Sequence, residues 1–282
     1  MPTRRHLLVT AAAATASLVA AGQAAQPAQA APAAALPQVN MEALIKAAQI
    51  DPRRADSAIT AGSKDSVLQV ERALQARGLL SATYVDGHFG TSTVAAYAAY
   101  QRSLGYSGLD ATGLPGLTSL RLLGDQRYTV TLPLSPGSTV ALRGVTVNTR
   151  TRAMLLEAER LLGTQLSITQ GSYSSGNSSS AGTHDGGGAL DLSVSGLSTT
   201  YRTTVVRQLR RVGFAAWLRT PSQGDWPYHI HAIALADTDQ SAAAQHQAGD
   251  YYLGLNGLAN RGADDGPVVT PKLSWEEYQR TT

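Results

Sequence analysis

At 282 residues, 43% hydrophobic and 15% charged, the chain is long enough for two modest domains and has an ordinary globular balance, which argues against a disordered or membrane-spanning protein. Its formal charge is +3, falling to +1 without residues 1–30, which carry two arginines and no acids; nothing electrostatic points to nucleic acid or an anionic membrane. With no cysteine, no disulfide frames the fold and no thiolate can bind a metal or attack a substrate, so any metal must be held by His, Asp or Glu.

Residues 1–30 read as a signal peptide. An alanine-rich apolar stretch, too short to span a bilayer, follows Arg4 and Arg5, and Ala28-Gln29-Ala30 offers a small-x-small cleavage site. The segment Thr3-Arg4-Arg5-His6-Leu7-Leu8 resembles the twin-arginine export signal, which implies a route for folded cargo. The expected location is outside the cell, secreted or associated with the cell wall.

Residues 31–59 read as a linker, because the Pro and Ala of the lead-in carry no apolar period. From Ser66 to Arg77, Val67, Val70 and Leu74 recur at helical spacing and Gly78 is placed to end the helix. A turn at Asp86-Gly87-His88-Phe89-Gly90 precedes a second helix around Val94, Tyr97, Tyr100 and Leu104, and a third short helix lies near Leu117 to Leu123. Residues 125–144 are a linker or the opening strands of the next domain. A helix from Met154 to Leu162, a strand at Leu166–Thr169, a Ser/Gly loop from Gly171 to Gly182 and a strand at Asp191 follow. A helix from Tyr201 to Val212 and strands at Phe214–Leu218 and His229–Leu235 complete a pattern that predicts an α+β domain on an antiparallel sheet, 145–282 with its tail. Past residue 236 the tail is polar, with Tyr251, Tyr252, Trp275 and Tyr278 expected to pack it back.

Chemistry concentrates in two stretches. Gly182-Thr183-His184-Asp185-Gly186-Gly187-Gly188-Ala189-Leu190-Asp191 sets His184 and Asp191 seven positions apart across three glycines, and Tyr228-His229-Ile230-His231 adds a His-x-His pair. Three such groups with water in the fourth position make an open catalytic zinc site. His184 and Asp191 are candidate ligands. In a strand His229 and His231 share one face, so one can bind metal while the other serves the attacking water or the developing charge. Asp225 is the nearest carboxylate to the pair. Trp226 and Tyr228 are core residues or line a cleft.

Two resemblances follow from these motifs. Asp-Gly-x-Phe-Gly-x-x-Thr-x-x-Ala at 86–96, Tyr100-Gln101-x-x-x-Gly105 and Asp110-x-x-Gly113-x-x-Gly116-x-Thr118 together resemble the small three-helix peptidoglycan-binding domain of secreted cell-wall enzymes, over residues 60–124. His-x(6)-Asp followed by His-x-His resembles the zinc peptidases grouping D-Ala-D-Ala carboxypeptidases, lysostaphin-type endopeptidases and the hedgehog fold, over about 145–236. That likeness implies His184, Asp191 and His231 as ligands of Zn2+ and His229 as the catalytic histidine, with Asp225 beside it. The carboxypeptidase branch usually has a serine where this chain has Gly182, and an arginine after Gly-Tyr where it has Gly171-Ser172-Tyr173-Ser174. Gln170 or Arg219 would take its place, and Gln170, Tyr173, Arg219 and Tyr228 are the candidate substrate-binding residues. The expected function is a monomeric zinc peptidase cutting peptidoglycan stem peptides or crosslinks, tethered to the wall. The alternative is a non-catalytic wall-binding protein with a structural or vestigial zinc site.

Overall fold

The computed structural model describes residues 35–282, so the expected signal peptide lies outside the described residues. The chain begins with a short strand, β1 (Gln38–Asn40), and runs straight into helix α1 (Met41–Ile50), where the Asn40 side chain accepts from the Ala43 N–H at 3.2 Å as N-cap. Helices α2 (Lys64–Ala76), α3 (Thr91–Ser103) and α4 (Leu117–Leu123) fall where three helices were expected. β2 (Thr129–Thr131) then pairs in parallel with β1. Val39, Leu44 and Ile45 pack with Val70, Leu74, Phe89, Tyr97 and Leu120 in one core.

The stretch expected to be a linker therefore contributes a strand and a buried helix from residue 38 onward. Met41, Leu44, Ile45, Ala47, Ala48, Gln49 and Ile50 are all buried. Only Glu42, Ala43 and Lys46 are partly exposed, so the polar face is narrow and the helix follows directly on a proline- and alanine-rich stretch with no apolar period. The turn at 86–90 is pinned from below by two buried carboxylates: Glu71 Oε2 accepts from the Gly87 N–H at 2.8 Å, and Asp51 Oδ2 accepts from the Phe89 N–H at 3.1 Å.

No free linker separates the lobes. A hairpin of β3 (Thr139–Leu142) and β4 (Val145–Asn148) turns through Arg143 and Gly144, both at positive φ, as a two-residue hairpin turn requires. Asn148 then caps α5 (Thr149–Leu162) by accepting from the Thr151 N–H at 2.8 Å, and Gly163, at φ 67°, ends it in the left-handed region. β5 (Ile168–Gln170), β6 (Ala189–Ser193), α6 (Thr199–Arg211), β7 (Phe214–Arg219) and β8 (His229–Ala234) follow. The strands form an antiparallel sheet in the order β5-β6-β8-β7, which places the fold in the α+β class.

Because side chains alternate along a strand, the sheet feeds two cores. Leu190, Leu192, Phe214, Ala216, Ile230 and Ala232 pack with Met154, Leu155, Val206 and Leu209 of α5 and α6. Ala189, Ala215, Trp217 and Ile233 face the other way, toward Ala244, Ala248 and Tyr251 of α7 (Ala242–Tyr252). The tail is thus partly a core element, and α8 (Trp275–Gln279) closes with a capping box between Ser274 and Glu277.

Helix α7 also meets α1. Gly249 lies so near the Gln49 carbonyl that a Cβ would collide with it, and Arg53 clasps Asp250 through Nε and Nη2, both at 3.0 Å. The Gln49 side chain, almost fully buried, donates to Gln240 Oε1 at 2.7 Å and accepts from the Ala236 N–H at 3.3 Å. Among the described residues no helix is long and apolar enough to cross a membrane.

Candidate metal centre

The register of the sheet assembles most of the site. Asp191 stands opposite His231 across β6 and β8, and Arg219 stands opposite His229 across β7 and β8, so all four side chains rise from the same face. Their neighbours Leu190, Leu192 and Ile230 point into the opposite core, which fixes the register: a one-residue slip would bury the charges and expose the leucines.

His184 comes from the loop before β6. That loop is folded against the chain by bonds from the Ser174 N–H to the His184 carbonyl at 2.8 Å and from the Tyr173 N–H to the Gly186 carbonyl at 2.9 Å. The glycines serve it in two ways. Gly186 passes so close to the Asp239 carbonyl that a Cβ would collide, and Gly188 sits at φ 85°.

Each imidazole has one nitrogen tied back and the other free for the centre. His184 is fully buried; its Nδ1 donates to the Gly171 carbonyl at 2.8 Å, leaving Nε2 3.3 Å from Asp191 Oδ1 with no hydrogen-bond partner. In His231, Nε2 lies 2.8 Å from Gln247 Oε1 and Nδ1 lies 2.7 Å from Asp191 Oδ1. His229 donates from Nδ1 to the Pro227 carbonyl at 2.8 Å and turns Nε2 toward Asp191 Oδ1 at 3.8 Å. Burial opposes ionisation of Asp191, but the charge and hydrogen bond of His231, with the His184 ring close by, outweigh it and hold the carboxyl far below the usual carboxylate range. Burial in turn pulls His231 below the ordinary histidine value, against the opposing pull of Asp191.

His184, Asp191 and His231 bring one ligand atom each to within 4.8 Å of one another, a group that could hold a metal ion. The residues fit that use. An orphaned, buried Nε2 on His184 needs a partner, and two nitrogens with one carboxylate oxygen match the donors of an open divalent site.

The group opens into a cavity of about 840 Å³, within the usual range for ligand sites, whose walls include His229, Arg219, Gln170, Asp225, Trp226 and Tyr228. Trp226 meets the His229 ring edge-on at 6.3 Å between centroids. Tyr228 is half exposed at the rim beneath the guanidinium of Arg202, and Asp225 is exposed in the same loop. Arg219 is buried; Nη1 donates to the Asn256 carbonyl at 2.8 Å while Nη2 has no partner, and burial brings its pKa down to about 10. Gln170 accepts from Asn177 at 2.9 Å, and its own amide nitrogen is buried and unpartnered.

Tyr173 corrects an expectation. Its hydroxyl donates to Asp239 at 2.8 Å, which ties the side chain away from the cavity, and the residue is not among those lining it. Sequence reading also missed Arg202 and Gln247, which line the cavity from α6 and α7; nothing in a helix marks which turn will overlie a strand of the sheet. Compared with family models, curated proteins and solved structures, the chain matches none.

Proposed function

We propose that the chain is a secreted zinc peptidase that hydrolyses peptide bonds in peptidoglycan stem peptides or crosslinks, with its N-terminal helical lobe keeping it at the wall. The observation that carries this reading is the convergence of two imidazoles and a carboxylate beside a third, unligated imidazole in an open cavity. His184 Nε2, Asp191 and His231 Nδ1 would hold Zn2+, which when bound polarises a scissile carbonyl and acidifies its water. Nε2 of His229, fixed by the Pro227 carbonyl, takes the proton from the attacking water and returns it to the leaving amine. Arg219 Nη2 and the Gln170 amide are unspent donors suited to a substrate carbonyl or carboxylate. Asp225 and Tyr228 border the same cavity, where they would contact the peptide's flanks. Substrate held near the site by a wall-binding lobe raises the effective concentration of cleavable bonds.

The test is to incubate purified peptidoglycan with the protein, with and without chelator, and analyse the soluble fragments by mass spectrometry. Chelator-sensitive cleavage products are expected. Wall binding without products at full zinc occupancy would favour the non-catalytic alternative, which the exposure of Asp225, the nearest carboxylate to His229 in sequence, keeps in view.

A further inference from the structure

Gln247 is an uncharged residue in a helix that sequence analysis passed over, yet its side chain reaches a buried histidine of the metal group. Helix α7 is held in place from its far side: Gly249 abuts Gln49 of α1, Asp250 is clasped by Arg53, and Gln245 donates to Thr112 at 3.0 Å. On its near side Gln247 Oε1 lies 2.8 Å from His231 Nε2. An amide oxygen can only accept, so Nε2 carries the hydrogen. A neutral imidazole then has its lone pair on Nδ1, the atom 2.7 Å from Asp191 Oδ1. Nδ1 is thus the nitrogen left to face the centre beside Asp191.

We propose that Gln247 is a positioning residue for metal binding: its carboxamide oxygen fixes the tautomer and ring orientation of His231, so that Nδ1 is presented to the ion. The inference rests on the zinc reading above. His184 is set in the same manner by the Gly171 carbonyl, so the two histidine ligands are oriented by one main-chain and one side-chain acceptor. Such outer partners are commonly worth 10- to 100-fold in metal affinity. Gln247 contacts the ligand, and not the reacting atoms.

The experiment measures the zinc dissociation constant of the full chain by competition with a chromophoric chelator, for wild type, Gln247→Leu and Gln247→Glu, together with the Tm of each metal-free protein. Gln247→Leu keeps the bulk and removes the acceptor; zinc is expected to bind about 10- to 100-fold more weakly, with a metal-free Tm within about 2 °C of wild type. Gln247→Glu restores an acceptor oxygen and is expected to bind zinc at least as tightly as wild type. Equal affinity in wild type and Gln247→Leu overturns the proposal while leaving the zinc site standing, as does a loss that Gln247→Glu fails to rescue. Absence of zinc binding by wild type overturns this proposal and the zinc reading together.

Discussion

His184 is the residue on which the candidate site turns, because its Nε2 is buried and has no partner other than what the cavity brings. Replacing it in His184→Ala is expected to abolish stoichiometric zinc binding and cleavage of muropeptides while binding to isolated cell walls persists; metal analysis and a wall pull-down read the two separately. A second residue makes a prediction about pH. Burial is the main cause that raises the Glu71 carboxyl to about 7, against the N–H bonds of Gly87 and Asp86 and the hydroxyl of Thr93. In the unfolded chain the same group titrates near the ordinary glutamate value, so between about pH 4.5 and 7 the folded state holds a proton that the unfolded state has released. Stability from this group is therefore fully present below that window, falls as pH rises through it and is level above, by an amount on the order of 3 kcal/mol. Chemical denaturation across pH 5 to 8 should show this decline in wild type, and Glu71→Gln should flatten it.

At the scale of elements, α1 and α7 are the pair that local pattern did not disclose. Gly249 lets them approach to backbone contact, so Gly249→Ala is expected to destabilise the protein by about 1–3 kcal/mol, read as a lowered denaturation midpoint. Leu44 of α1 is fully buried in the helical core, and Leu44→Ala should cost about 2–5 kcal/mol; a cost below 0.5 kcal/mol in either variant, about the range of exposed sites, would contradict the packing described. The helices α2, α3 and α4 were legible because each shows one buried face to a single core. The strands β6 and β8 were legible for the same reason with period two: Leu190, Asp191 and Leu192 alternate, as do His229, Ile230 and His231. α1 is buried except along Glu42, Ala43 and Lys46, and α7 is rich in Ala and Gln, so α7 shows little contrast between faces and α1 only a narrow polar one.

For the whole molecule, the junction between the helical lobe and the sheet is built from buried polar bonds and close backbone contact. Besides Gln49 with Gln240 and Arg53 with Asp250, Lys46 pairs with Glu277 at 3.1 Å. The surface pair contributes little on its own, but the desolvated amide bonds and the α1 against α7 contact link unfolding of one lobe to the other. Calorimetry of the full chain is expected to show one cooperative transition; two well-separated transitions would mean that the lobes are independent modules. A rigid junction also bears on the proposed tether, since the helical lobe would present the cavity to the wall in a set orientation, unlike a module on a flexible linker.

What the sequence by itself determined is the set of donors that could hold a metal and the local elements that carry them. With cysteine absent, only histidines and carboxylates could serve, and a His-x-His in a strand has one geometry. Only the tertiary structure decided which nitrogen each histidine offers, that Tyr173 turns away to Asp239, that Arg219 stands beside His229, and that Gln247 reaches His231. Local periodicity reports which face of an element is buried. It carries no information about which distant residue lies against that face, and the orientation of a metal ligand depends on that distant residue.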